Sequence, residues 1–214
     1  MLKLSKVKPK IWHLHFDKHY DLSLHFFRYQ ESTGSEIISM VDLMERYSTN
    51  VGKGDFTYVK DWGGFNLPGF VIFDIHRRGI PDLNKYDSVM FAFAEMIKSK
   101  EGTEKFDIIG TSEEDECIVE TFNHELAHSL YRYDAKYKDK INKLIDELPT
   151  RTHNYMYDKL ISLGYDEASD NLIDEMQAYM CSGSGDQVFS SQSVINHSKK
   201  FKSLFKRYAK DIAK

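Results

Sequence analysis

The chain has few of the residues that constrain a backbone. It carries two cysteines in 214 residues, Cys117 and Cys181, which excludes a disulfide framework and points to a reducing compartment. Four prolines and 12 glycines are too few for an all-β chain with its many tight turns. No apolar run reaches the roughly 18 residues of a membrane span. The basic start, Met1 to Lys10, has no apolar segment behind it, so it does not read as a secretory signal. There is also no cationic excess: 29 Lys and Arg face 33 Asp and Glu, for a net charge of -4. Generic binding to a phosphate backbone needs the opposite balance. The expectation is a soluble, cytoplasmic protein with no nucleic-acid partner and no membrane span.

Hydrophobic residues make up 41% and charged residues 29%, enough to build a core and too apolar for global disorder. The length fits one domain. No internal repeat or long low-complexity tract interrupts it. Ile11 to Phe16 alternates, with Trp12, Leu14 and Phe16 on one face and Ile11, His13 and His15 on the other. Leu22, Leu24 and Phe26 alternate again, predicting a hairpin of two strands. Residues 36–47 and 84–98 have helical spacing, while Phe70 to Ile75 is rich in β-branched and aromatic residues and predicts a strand. Lys105 to Gly110 predicts a short strand. Beyond it the pattern is helical over 114–132, 134–148, 152–163, 171–181 and 196–213. The expected class is α+β in a single domain spanning 1–214, sheet-rich over 1–110 and helical over 111–214.

Helix 114–132 contains His124-Glu-Leu-Ala-His128. Residues four apart share a helix face, so both imidazoles can reach one ion. Glu125 sits about 100° around the helix, placed to touch a metal-bound water without ligating the ion. Ile118, Val119, Phe122, Leu126 and Leu130 supply an apolar stripe that packs the helix. A catalytic zinc site takes three protein ligands and leaves one position open. The sequence after His128 is Ser129-Leu-Tyr-Arg-Tyr133, with neither a further histidine nor a cysteine. The best third ligand is Glu175, with 46 residues between it and His128, and with Asp174, Glu167 and Asp170 as competitors.

H-E-x-x-H followed by a glutamate on a later helix, in the context Glu175-x-x-Ala178, resembles the gluzincin branch of the zincin metallopeptidases. The resemblance covers roughly residues 105–181 and is one of motif and element order. It implies a mixed sheet with an edge strand before the motif helix, one Zn²⁺ per chain, and hydrolysis of a peptide or protein substrate. It assigns His124, His128 and Glu175 to the metal and Glu125 to general base catalysis. It also implies a Tyr or His near the ion to hydrogen-bond the oxyanion. Tyr179, one turn after Glu175, is a candidate for this role beside His153, Tyr155, Tyr157 and Tyr165. Strand 105–110 takes the place of the edge strand, so that Ile108, Ile109 and Gly110 offer backbone hydrogen bonds to substrate. Two other readings compete: a binding protein on the same scaffold with a structural or lost metal, and a zinc hydrolase of a non-peptide amide.

Other residues invite attention. His13, His15 and His25 read as a polar sheet face, Cys117 as a buried structural cysteine, and the lysine-rich C-terminal helix as a surface helix docked by its aromatic stripe. Ser182 to Ser193 is rich in Ser and Gly and predicts a mobile connector, with a lid closing through Phe189 as the sharper alternative.

Overall fold

The computed structural model describes residues 2–32, 37–165, 171–183 and 185–210, without the side chains of residues 186 and 187. The architecture is α+β, with strands concentrated at the N-terminal end and helices beyond. The chain groups into two compact units, Met1–Ile118 and Val119–Lys214. Among the described residues, no helix is long and apolar enough to cross a membrane.

The first unit is built on a sheet of four strands. In chain order its elements are β1 (Leu2–Lys8), β2 (Ile11–Phe16), α1 (His19–Glu31), α2 (Met40–Asn50), α3 (Tyr58–Asp61), β3 (Phe65–Pro68), α4 (Gly69–Arg78), α5 (Lys85–Glu101) and β4 (Asp107–Ser112). The strands lie in the order β1-β2-β4-β3. β1 and β2 form an antiparallel hairpin, β2 runs parallel to β4, and β3 returns antiparallel to β4. The core joins Trp12, Leu14 and Phe16 of β2 to Leu22, Phe26 and Phe27 of α1 and to Met90, Ala94 and Ile97 of α5. Gly110 permits the close seating of α1 on β4: a Cβ there would stand 2.5 Å from the Phe26 ring and 2.7 Å from Leu22.

Two expected strands are helices. Leu22 to Phe26 lies in α1, whose residues 22–29 are all buried. A helix buried on every side shows no polar stripe, and the same residues also satisfy a period of two. Leu22, Phe26 and Tyr29, at helical spacing, are the stripe that decides. Residues 70–75 lie in α4, where Gly69, Ile72, Phe73 and Ile75 are buried and Phe70 is exposed; packing overrides β propensity there. The partner of β2 in the hairpin is β1 instead.

The substrate-binding expectation for Ile108, Ile109 and Gly110 is also corrected. β4 is an interior strand: Ile108 pairs with Trp12 on one side and with Leu67 on the other, and Gly110 with Leu14 and Phe65. With both edges taken, this strand has no backbone left to pair with a peptide. The sheet edges are β1 and β3. His13 and His15 share the Thr111 hydroxyl, with Nε2 of His13 at 2.8 Å and Nδ1 of His15 at 3.3 Å from Oγ1. His25 is not across a hairpin from them; it sits on α1, its Nδ1 donating to the Asp21 carbonyl at 2.6 Å.

The second unit is helical: α6 (Ile118–Tyr133, beginning one residue before the unit), α7 (Ala135–Asp146), α8 (Thr150–Ser162), α9 (Asn171–Ser182), α10 (Gly185–Val188) and α11 (Gln192–Ala209). α9 is its hub and packs against α7, α8, α10 and α11. α11 docks through Val194, Phe201, Leu204 and Phe205. Cys117, just before α6, is exposed rather than buried, while Cys181 is buried. The expected mobile segment after α9 contains the turn of helix α10, and Phe189 behind it is fully buried. Its ring packs edge-on against Tyr179 at 5.7 Å, and its carbonyl accepts from the Tyr155 hydroxyl at 3.0 Å. Phe189 is therefore a core residue, not the free tip of a lid.

Candidate metal centre

α6 and α9 supply the site, both within the second unit. On α6, Leu126, Ala127 and Leu130 are buried and fix the rotation of the helix. His124 and His128 then project side by side, one turn apart. On α9, Leu172, Met176 and Met180 are buried at helical spacing. This leaves Asp174, Glu175 and Tyr179 on the flank that meets the histidines.

The three expected ligands converge. His124 Nε2 and His128 Nε2 lie 3.1 Å apart. Glu175 places Oε2 3.5 Å from His124 Nε2 and Oε1 3.6 Å from His128 Nε2. Among the described residues, this trio is the group of His, Cys, Asp or Glu side chains arranged to hold a metal ion. Ligand bonds of about 2.0–2.1 Å in tetrahedral array set donor atoms about 3.3–3.4 Å apart, and the observed separations bracket that value. Glu175 Oε2 is buried and has no hydrogen-bond partner. A carboxylate oxygen removed from water without a donor is costly unless a cation satisfies it. Two imidazoles and one carboxylate are a borderline-soft N/O set suited to Zn²⁺.

The surroundings favour a cation too. Glu125 and Asp174 bring two further carboxylates to the two histidines and Glu175. Burial lowers the basicity of His128, but Asp174, Glu175 and Glu125 outweigh it and hold its pKa up at about 9. Burial raises the carboxyl of Glu125 above the ordinary range, with His124 and His128 opposing.

Comparison of the chain with family models, with curated proteins and with solved structures finds no match.

Asp174, a competing ligand on sequence grounds, takes a different part: its Oδ1 faces His128 Nδ1 at 3.0 Å. A carboxylate on Nδ1–H holds the imidazole so that Nε2 presents its lone pair to the ion. The other competitors, Glu167 and Asp170, lie outside the described residues. Two tyrosines reach the site. The Tyr179 ring meets the His124 ring edge-on at 4.6 Å, and its hydroxyl is 3.1 Å from that of Tyr165. Glu175 lies close enough to Tyr165 to act on its phenol electrostatically. Burial and the nearby Glu175 raise both phenols, which keeps them protonated as donors. Tyr155 is committed to the Phe189 carbonyl instead. Gln177 and Tyr137, fully buried beside Asp174, carried no motif signal; only the i,i+3 spacing of Asp174 and Gln177 hints at their pairing.

Proposed function

We propose that the chain is a zinc-dependent hydrolase of peptide bonds. The observation that carries this reading is the convergence of His124, His128 and Glu175 around a buried carboxylate oxygen without a donor, with a second glutamate, Glu125, next to the first ligand on the same helix. When bound, the ion acts as a Lewis acid, bringing the pKa of a water down toward about 7 and polarising a carbonyl. The residues of the chain divide the remaining work. Glu125, too basic for an ordinary carboxylate because it is buried, takes the proton of the attacking water and returns it to the leaving amine. Tyr179, with Tyr165 behind it at 3.1 Å, donates its hydroxyl hydrogen to the developing oxyanion. Asp174 keeps His128 oriented throughout.

The resemblance to gluzincins supports the peptide as substrate class, and the intact pair of His124-Glu125 and His128 with Glu175 supports catalysis over a purely structural metal. The test combines two variants. Glu125→Gln is expected to keep about one zinc per chain and to lose cleavage of a denatured protein substrate, falling by roughly 10²–10⁴-fold. Glu175→Gln is expected to lose zinc first. Loss of zinc from the Glu125 variant with retention in the Glu175 variant would reverse the assignment, and chelator-insensitive cleavage would refute it.

A further inference from the structure

The hydrogen bonds behind Asp174 run on through the interior of the second unit in one direction. Asp174 Oδ1 accepts from His128 Nδ1 at 3.0 Å and also from the amide nitrogen of Gln177 at 2.9 Å. The amide oxygen of Gln177 accepts from the Tyr137 hydroxyl at 2.9 Å. The Tyr137 hydroxyl in turn lies 3.3 Å from the Cys181 sulfur. Gln177 and Tyr137 are fully buried, so no bulk water competes for these groups. Three helices are tied together: α6 through His128, α9 through Asp174 and Gln177, and α7 through Tyr137.

The polarity of this chain is set at the Asp174 end. A primary amide can face a carboxylate with its nitrogen or, after a 180° flip, with its oxygen, but a carboxylate oxygen only accepts. Gln177 therefore turns its amide nitrogen to Asp174 Oδ1 at 2.9 Å and its oxygen to the Tyr137 hydroxyl, which donates to it at 2.9 Å. Asp174 Oδ1 is then a double acceptor, with His128 Nδ1 as its second donor at 3.0 Å. We propose that Gln177 and Tyr137 are positioning residues for the metal centre, acting on His128 through Asp174 so that Nε2 is presented to the ion. The proposal rests on the metal reading above and adds two residues that touch neither ion nor substrate.

Three single variants test it: Gln177→Met, which keeps the length of the side chain and removes its bonds to Asp174 and Tyr137 together with the longer one from Cys181; Tyr137→Phe, which removes one oxygen; and Thr152→Val as a control. Thr152 is a buried hydroxyl of the same unit, bonded to Ser193 at 2.7 Å, with no link to the site. Zinc affinity is measured by competition with a chromophoric chelator at a temperature where circular dichroism shows each metal-free chain folded. Gln177→Met is expected to weaken zinc by about 10–100-fold, the effect typical of an outer partner of a ligand, Tyr137→Phe by less, and Thr152→Val not at all. In the zinc-loaded protein, the His128 Nδ1–H proton is expected as a slowly exchanging NMR signal that broadens in Gln177→Met and persists in Thr152→Val. Unchanged zinc affinity and an unchanged His128 signal in Gln177→Met and Tyr137→Phe, whatever happens to their melting temperatures, overturn the positioning role. Tyr137→Phe removes a single atom and keeps the test open if Gln177→Met does not fold. A wild-type chain that binds no zinc overturns the metal reading itself, and the two failures are thereby distinguished.

Discussion

Zinc should act on this chain as a tie between two helices that are distant in sequence. α6 and α9 meet at the site through side chains: two histidines from one, and Glu175 with Asp174 from the other. An ion held by all three ligands binds only the folded arrangement, so its binding free energy adds to stability. At a free zinc concentration of 100 times Kd the gain is about 2.7 kcal/mol. For a cooperative melt of a chain of 214 residues, roughly 2–4 °C per kcal/mol converts this to an increase of about 5–11 °C. If residues 119–214 melt as their own unit, the smaller cooperative entropy gives roughly 4–8 °C per kcal/mol. The transition of residues 119–214 then moves by about 11–22 °C while that of residues 1–118 stays in place. Calorimetry of the metal-free chain, with and without zinc and then with excess chelator, measures both cases. The double variant His124→Ala/His128→Ala should lose the shift entirely. Glu125→Gln should retain it, since its carboxylate is not a ligand. An equal shift in the double variant, or none in the wild type, refutes the site.

Two other outcomes follow from the packing. Phe189→Ala should cost about 3–5 kcal/mol in urea denaturation, because its ring is fully buried against Tyr179 and its loss leaves a cavity; a change under about 0.5 kcal/mol would restore the lid reading. The half-buried His13 has its pKa lowered from 6.5 to about 4 by desolvation, by His15 and by Lys3, so between these values the unfolded chain binds a proton that the folded chain refuses. Stability should therefore fall as pH drops from about 6.5 toward about 4, by roughly 2 kcal/mol at about pH 5, and His13→Asn should remove that part of the slope in denaturation series; an identical slope in the variant contradicts it.

The three side chains that converge at the candidate site were expected together because the cue in each helix is local. His124 and His128 are one helical turn apart, and Glu175 lies on a segment whose apolar residues, Leu172, Met176 and Met180, have the same period. The helices of the second unit were legible for the same reason. What could not be read depends on contacts made elsewhere. α1 is buried all round, so Leu22, Leu24 and Phe26 fit both periods. α4 carries a strand-like sequence but packs as a helix. β1 alternates through Leu2 and Leu4 until its pairing slips between Lys6 and Lys8, which hides it among lysines. β3 has four residues, too few to show a pattern. The bond from Tyr137 to Gln177 joins residues 40 apart and has no local signature. The interior position of β4 was missed because strand order is a property of the whole sheet.

The parallel pairing of β2 with β4 also sets a timetable for biosynthesis. Ile11 meets Asp107 and Phe16 meets Ser112, partners separated by about 95 residues of chain. At about 5–20 residues per second, Trp12, Leu14 and Phe16 leave the ribosome roughly 5–20 s before the strand that flanks them has been made. The hairpin with β1 forms at once and occupies one side of β2, but a two-stranded hairpin is marginal alone. The other side waits, apolar and unpaired, through the synthesis of α1 to α5 and β3. This nascent segment is where a chaperone that holds extended apolar chain has its longest opportunity, and where crowding of neighbouring ribosomes most endangers the yield of folded protein.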